Sequence, residues 1–273
     1  MKIRNTTSPL RTWLRTLRRA GVLSAVSLVL VLLTWTAAHA QSAEVQHLFE
    51  QGNSLYRNGQ YEKAIQAYEK VRQLGYESPE LYYNLGNAYF RTGQIGKAVL
   101  NLERARRLAP KDEDIRHNLQ IVNLRVVDKV PHPPKLFFQV WYESVRNLLS
   151  VDGWTALFVA LYVLAGVLLV IRVLARRPAV VAVARRSLVL VVVLLVVTGV
   201  FWIGALRSAR VVKAVVTVPR VEVLSAPEEG ATEVFPLHEG VVVQIRDRSD
   251  GWYEIRLPDG KVGWLKKDAV EIV

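Results

Sequence analysis

The sequence predicts a multidomain protein built from an α-helical repeat solenoid, a two-helix transmembrane hairpin and a small all-β barrel. Three observations carry that expectation. "GNAYFRTGQIGKA" at 86–98 repeats "GNSLYRNGQYEKA" at 52–64 after 34 residues, with seven of thirteen positions identical. Two uncharged apolar runs, 154–171 and 187–206, follow one another in the middle of the chain. From Val211 onward, short β-branched runs alternate with turn signals, including Asp-Gly at 250–251 and 259–260.

Self-similarity at 34 residues is the period of stacked helical hairpins. Counting from Val45 and from Pro79, glycine stands at position eight (Gly52, Gly86) and alanine at position twenty (Ala64, Ala98). Small residues there let two helices approach closely. Gly59 and Gly93 suit the turn between them, and Pro110 ends the second hairpin. After it, "DEDIRHNLQIVNLRVVDKV" opens with acids suited to a helix N-terminus. Its Ile115, Leu119, Val122 and Val126 form an apolar stripe, as expected of a closing helix. With these motifs the segment 41–129 resembles two tetratricopeptide repeats plus a closing helix. The resemblance implies a concave groove lined by the first helix of each hairpin. Carried over by position, it nominates Asn53, Tyr56 and Arg57, then Tyr83, Asn84, Asn87, Phe90 and Arg91, then Asn118 and Arg125. Phe49 and His117 fall on the same positions. Arg57, Arg91 and Arg125 recur every 34 residues, as an arginine ladder would. Asparagine can meet a peptide backbone as donor and acceptor, and arginine can grip a carboxylate. Asn53 and Asn84 match the carboxylate-binding versions of the family, but Phe49 stands where those have lysine. The alternative is that Tyr56 and Phe90 are core and the arginines a solvated face.

The middle of the chain reads as membrane. The runs of 18 and 20 uncharged residues fit a bilayer core, which takes ~20 helical residues. Transmembrane helices are expected over 153–173 and 187–206. Between them, a loop over 174–186 carries Arg176, Arg177, Arg185 and Arg186, with Arg172 just before it and no acid. The positive-inside rule puts that loop in the cytoplasm and both flanking segments outside. Trp154 and Trp202 then fall at the outer interface. Residues 1–40 have a basic start, an apolar run and Ala38-His39-Ala40 before Gln41, the pattern of a signal peptide. Residues 130–152 combine a Pro-rich linker with an amphipathic stretch, suited either to lying on the membrane surface or to packing on the spans.

Charge and composition exclude other classes. The chain has 273 residues, no cysteine, five scattered histidines and a net charge of +12. Residues 1–40, 41–129, 130–213 and 214–273 carry +6, +2, +8 and −4. The excess lies beside the apolar runs rather than in a basic domain, so nucleic acid is not an expected partner. Nothing has the spacing of a metal site, a phosphate loop or a nucleophile elbow, so the expectation is a non-enzyme without metal or cofactor.

At "DGWYEIRLPDGKVGWLKKDAVEIV" the segment 211–273 resembles a bacterial SH3-like domain. Trp252 and Tyr253 stand at its aromatic pair and Gly263-Trp264-Leu265 at its Gly-aromatic-aliphatic step. Lys266 and Ala269 stand where the eukaryotic pattern has a proline and a tyrosine, so a Pro-rich ligand does not carry over. Trp252, Tyr253 and Trp264 are expected either as a contact surface for protein or cell wall, or as caps on a small core. The order of leader, repeats, two spans and barrel resembles the BatE family of the bacterial aerotolerance operon. That resemblance implies an inner-membrane scaffold with its repeats and barrel in the periplasm. It implies von Willebrand A-type membrane partners and a role in oxidative or envelope stress. A peptidoglycan-binding membrane protein is the alternative.

Overall fold

The computed structural model of the protein describes residues 42–131 and 133–273; the leader expected over 1–40 lies outside them. The chain divides into two compact units, one ending at Val122 and one running Asn123–Val273.

The first unit is helical. α1 covers 42–57 of the described residues, followed by α2 (Tyr61–Gln73), α3 (Pro79–Arg91), α4 (Ile95–Leu108) and α5 (Glu113–Asn123). The α1–α2 and α3–α4 turns close in the same way. Gly59 (φ 73°) and Gly93 (φ 78°) donate their amides to the carbonyls of Tyr56 and Phe90. Gln60 and Gln94 reach back to Leu55 and Tyr89. This six-to-one, five-to-two closure satisfies the last carbonyls of the helix and needs a left-handed residue, which glycine adopts without strain. α3 begins at Ser78, whose Oγ accepts from the Leu81 amide at 3.1 Å, with Pro79 in the first position. α5 is capped by Asp112, whose Oδ1 accepts from the amides of Asp114 and Ile115 at 2.9 and 3.1 Å.

Packing explains the small residues. A Cβ on Gly86 would lie 2.6 Å from Leu102 Cγ and 3.2 Å from the Ala98 carbonyl. One on Gly52 would lie 2.5 Å from the Tyr68 ring. Ala64, Tyr68, Leu85, Ala98, Leu102 and Ala105 are all buried between the helices, and Ile115, Leu119 and Val122 bury the inner face of α5.

The second unit starts earlier than the sequence pattern suggests. Asp128, expected in the repeat segment, accepts from the His238 amide at 2.6 Å and lies 3.1 Å from His238 Nδ1. That contact ties residues just after α5 to an edge strand of the sheet. α6 (Phe137–Arg146) precedes two long helices, α7 (Val151–Leu174) and α8 (Pro178–Ala209). With 24 and 32 residues and mean hydropathies of 2.7 and 2.8, both are long and apolar enough to cross a membrane. At 1.5 Å per residue they measure about 36 and 48 Å. Their most apolar windows are 0% and 22% buried, unlike a soluble core helix. The loop expected over 174–186 is shorter. Only 175–177 leave helical structure, because Pro178 opens α8 at its first position and a run of Ala and Val carries it on. Arg185 and Arg186 therefore sit on the first turns of α8.

Aromatic stacking joins α6, α7 and α8. Phe201 near the end of α8 lies between Tyr142 of α6 (5.3 Å, 21°) and Trp154 at the start of α7 (5.4 Å, 16°). The pairing of one helix start with the other's end makes α7 and α8 antiparallel. Trp154 Nε1 donates to the Arg146 carbonyl at 2.9 Å, and Trp202 Nε1 to Thr155 Oγ1 at 2.9 Å. Of the two alternatives for the amphipathic stretch, the structure shows α6 packed on α7 and α8. Tyr142 and Val145 pack against α7 and α8, and the Trp141 ring meets Phe201 edge-on at 6.2 Å while remaining 62% exposed; Phe137 is 86% exposed.

The chain ends in a seven-stranded antiparallel sheet, ordered β3-β2-β6-β5-β4-β1-β7. The strands are β1 (Val212–Val216), β2 (Arg220–Leu224), β3 (Glu233–His238), β4 (Val242–Ser249), β5 (Trp252–Arg256), β6 (Val262–Lys266) and β7 (Val270–Ile272). The two Asp-Gly signals close the β4–β5 and β5–β6 hairpins. Val215, Val223, Val243, Ile255 and Leu265 are fully buried.

Gly86→Ala should loosen α3 and α4. Alanine is favoured over glycine in a helix by about 1 kcal/mol, but the new methyl collides with a branch-point carbon and a backbone carbonyl, and overpacking costs about 1–3 kcal/mol. Amide hydrogen exchange in the full chain is expected to accelerate in α3 and α4. Unchanged protection there would show that the helices have room.

Candidate functional site

The groove nominated by position lies on α1, α3 and α5, and its most ordered feature is a chain of amides. Asn53 Oδ1 accepts from Tyr68 Oη at 2.7 Å and from Asn84 Nδ2 at 3.0 Å. One repeat further on, Asn118 Nδ2 donates to Asn87 Oδ1 at 2.8 Å and to Tyr83 Oη at 3.0 Å. Both asparagine pairs are 31 residues apart, so each joins one first helix to the next. Asn84 also hydrogen-bonds the Tyr68 hydroxyl, and among the described residues these four side chains make no other hydrogen bonds. The Nδ2 groups of Asn53 and Asn87 and the Oδ1 atoms of Asn84 and Asn118 are left open. All four are half-buried.

The aromatic and basic residues divide differently. Tyr56 is half-buried and meets Tyr61 edge-on at 5.2 Å. Burial raises its pKa, with Arg91 partly opposing the shift. Arg91 leans onto α2, where it donates to Tyr61 Oη at 2.6 Å and lies 4.8 Å above the Tyr61 ring. Phe90 is half-buried and Arg57 exposed. Arg125 falls in a turn beyond the end of α5 and belongs to the second unit. An arginine ladder along one helical face therefore does not form, because the third arginine is not on a helix and the second is held by a tyrosine. Tyr61 and Tyr68 are the residues that sequence position missed. Tyr61 has Ile95 at the matching place in the second copy, so the repeat gives no sign of it.

In the sheet, the register separates the three nominated aromatics. Trp252 pairs with Lys266, Glu254 with Trp264 and Tyr253 with Leu265. Paired residues share a face and successive ones alternate. Trp252, Trp264 and Lys266 thus lie on one face, and Tyr253 on the other with Ile255 and Leu265. They cannot form one contact surface. Trp252 is only 8% exposed, with Lys266 Nζ 5.7 Å above its ring. Lys266 in turn donates to Glu229 at 2.8 Å, which raises the lysine pKa and lowers the carboxyl. Tyr253 carries two cations, Arg248 and Lys267, each 5.6 Å from its ring. Among the described residues no group of three His, Asp or Glu side chains is placed to hold a metal ion.

Comparison with known families agrees with both halves. Residues 52–93 match a model described as TPR repeat, and 79–112 one described as tetratricopeptide repeat. Residues 217–271 match a bacterial SH3 domain. No curated protein matches the chain. Among solved structures it is similar to the Sgt2 TPR domain from Aspergillus fumigatus, at 27% identity and a TM-score of 0.28. That match covers 30% of this chain and 54% of that one, so the chain spans about half the length of the domain it resembles. The chain therefore carries tetratricopeptide repeats and a bacterial SH3 domain, both of them interaction modules.

Burial pushes the Tyr68 hydroxyl up to about 12 from its ordinary 10. The folded state thus holds this proton more tightly than the unfolded state. The stability it confers is complete below pH 10 and is lost as pH rises through about 12, amounting to about 3 kcal/mol. Tyrosinate absorbance titrations of wild type and Tyr68→Phe are expected to differ only in this late step. A difference that titrates near pH 10 would show the hydroxyl to be in water.

Proposed function

We propose that this protein is an inner-membrane scaffold that binds an extended peptide or protein surface in its repeat groove, outside the cytoplasm. The observation that carries this reading is the alternation of open amide groups along α1, α3 and α5. Asn53 and Asn87 offer N–H donors, and Asn84 and Asn118 offer carbonyl acceptors. An extended backbone presents the complementary alternation of carbonyls and amides. Tyr56, Tyr83 and Phe90 add apolar area beside them, while Arg57 and Arg91 supply charge.

α7 and α8 serve as the two transmembrane helices. Arg172, Arg176, Arg177, Arg185 and Arg186 gather at one end of the hairpin, against Arg207, Arg210 and Lys213 at the other. That asymmetry supports a cytoplasmic place for the first end. The leader over 1–40 would then deliver repeats and SH3 domain to the periplasm. The order of leader, repeats, two apolar helices and bacterial SH3 domain supports membership of a Bat-type aerotolerance or envelope-stress complex, with von Willebrand A-type membrane proteins as partners. A second reading, peptidoglycan binding through the SH3 domain, is favoured by one observation: the half-buried Trp264 and the exposed Lys266 share a face of the sheet.

Asn53→Asp with Asn87→Asp tests the groove. The new carboxylates keep an oxygen for Tyr68, Asn84 and Asn118 but lose the open N–H donors. Partner recovery from membranes is expected to fall about tenfold, since lost hydrogen bonds of this kind cost about 1–3 kcal/mol. Recovery at the wild-type level would sink the groove reading. Co-sedimentation of that variant with isolated cell wall, undiminished, would favour the SH3 reading. Protease added outside spheroplasts should digest both soluble segments; protection of either would reverse the topology.

A further inference from the structure

The outer end of the hairpin holds a groove that the scaffold reading does not use. It has a volume of about 640 Å³ and runs between α6 and the last turns of α8. Val200, Ile203 and Arg207 recur along α8 at i, i+3 and i+7, so they share one face of the helix. Arg146 of α6 lines the opposite wall. Gly204 makes the groove possible. Tyr142 lies against its backbone where any side chain would collide, and this brings α6 down onto α8.

The groove is graded from apolar to cationic. Val200 and Ile203 are 54% and 47% exposed. Arg207 lies about 10 Å beyond Val200 along the helix, and about 7 Å beyond Trp202, at 1.5 Å per residue. Tryptophan marks the level of the lipid headgroups, so Arg207 stands at or just above that level, with the apolar wall below it. Neither arginine is neutralised. Arg207 has no ion pair among the described residues. Arg146 reaches only the Asn147 amide oxygen, at 3.3 Å. The nearest acid on α6, Glu143, is paired with Lys135 at 2.6 Å.

We propose that this groove binds an anionic phospholipid, with its phosphate between Arg146 and Arg207 and an acyl chain along Val200 and Ile203. The charge calls for a phosphate, and the apolar wall calls for the chain that free phosphate lacks. The proposal rests on α7 and α8 spanning the membrane.

The test uses tryptophan fluorescence of the full chain in nanodiscs. Trp141, Trp154 and Trp202 all lie at this end of the hairpin, and among the described residues α7 and α8 carry no tryptophan near the arginine-rich turn at the other. Lipid brominated on its acyl chains quenches the tryptophans it reaches. Brominated phosphatidylglycerol is expected to reach half-quenching at a mole fraction about thirtyfold lower than brominated phosphatidylcholine, since two arginines near an anionic headgroup contribute about 1 kcal/mol each. In Arg146→Gln with Arg207→Gln the two half-points should coincide. In Arg176→Gln with Arg177→Gln, at the far end, the gap should persist. Equal half-points in the wild type, or a gap that survives the first double variant, overturns the lipid site and leaves the spanning helices untouched. Inorganic phosphate at matched ionic strength should not move the phosphatidylglycerol half-point; if it does, the occupant is the phosphate group alone and lipid is overturned. A chain that does not enter nanodiscs overturns the membrane reading and this site with it.

Discussion

Asn53 Oδ1 accepts from Tyr68 inside its own helical pair and from Asn84 in the next pair. A single carbonyl oxygen thus sets both spacings of the repeat. Tyr68 can reach it because Gly52 leaves room for the tyrosine ring against α1. Asn84 can reach it because the chain between α2 and α3 returns α3 to the side of α1. The same contacts use the Asn53 oxygen and not its N–H groups, so the interaction that orders the repeats also leaves the donors on which the proposed groove relies. Structure and candidate function share these atoms.

The second unit meets a different constraint. In lipid, helices as apolar as α7 and α8 would gain little from touching each other, so shape and polar contacts would have to set their register. Here it comes from Phe201 between Tyr142 and Trp154, and from indole N–H groups that find a carbonyl and a hydroxyl. All of these contacts cluster at one end. They fix α6 against the hairpin, and Arg146 and Arg207 line one groove with Val200 and Ile203. The sheet that follows is linked to the chain before α6 by Asp128, which captures a free edge amide at His238.

The repeat was legible because its signal is period: glycine, alanine and apolar residues at fixed positions carry the packing of the helices. The β hairpins were legible because Asp-Gly allows few other conformations. The groove was legible only in part. Position within the repeat put Asn53, Asn84, Asn87 and Asn118 on α1, α3 and α5, but gave no sign of the hydrogen bonds that join them in pairs. It placed Arg91 beside Arg57, although Tyr61, which has no counterpart in the second copy, draws it onto α2. It placed Arg125 on a helix that ends at Asn123. In the sheet, adjacency of Trp252 and Tyr253 suggested a joint surface, but a strand turns successive side chains to opposite faces.

By itself the sequence determined the inventory: helical repeats, two helices apolar enough for a membrane, a β-rich end, and the sign of charge around each. These follow from local periodicity and composition, which depend on neighbours along the chain. Tertiary structure decided which polar atoms remain open, which arginines are engaged, where the repeat unit ends, and that α6 and α8 enclose a groove. Those outcomes depend on residues 31, 58 or 110 positions apart meeting in space, and no local pattern carries information over such separations.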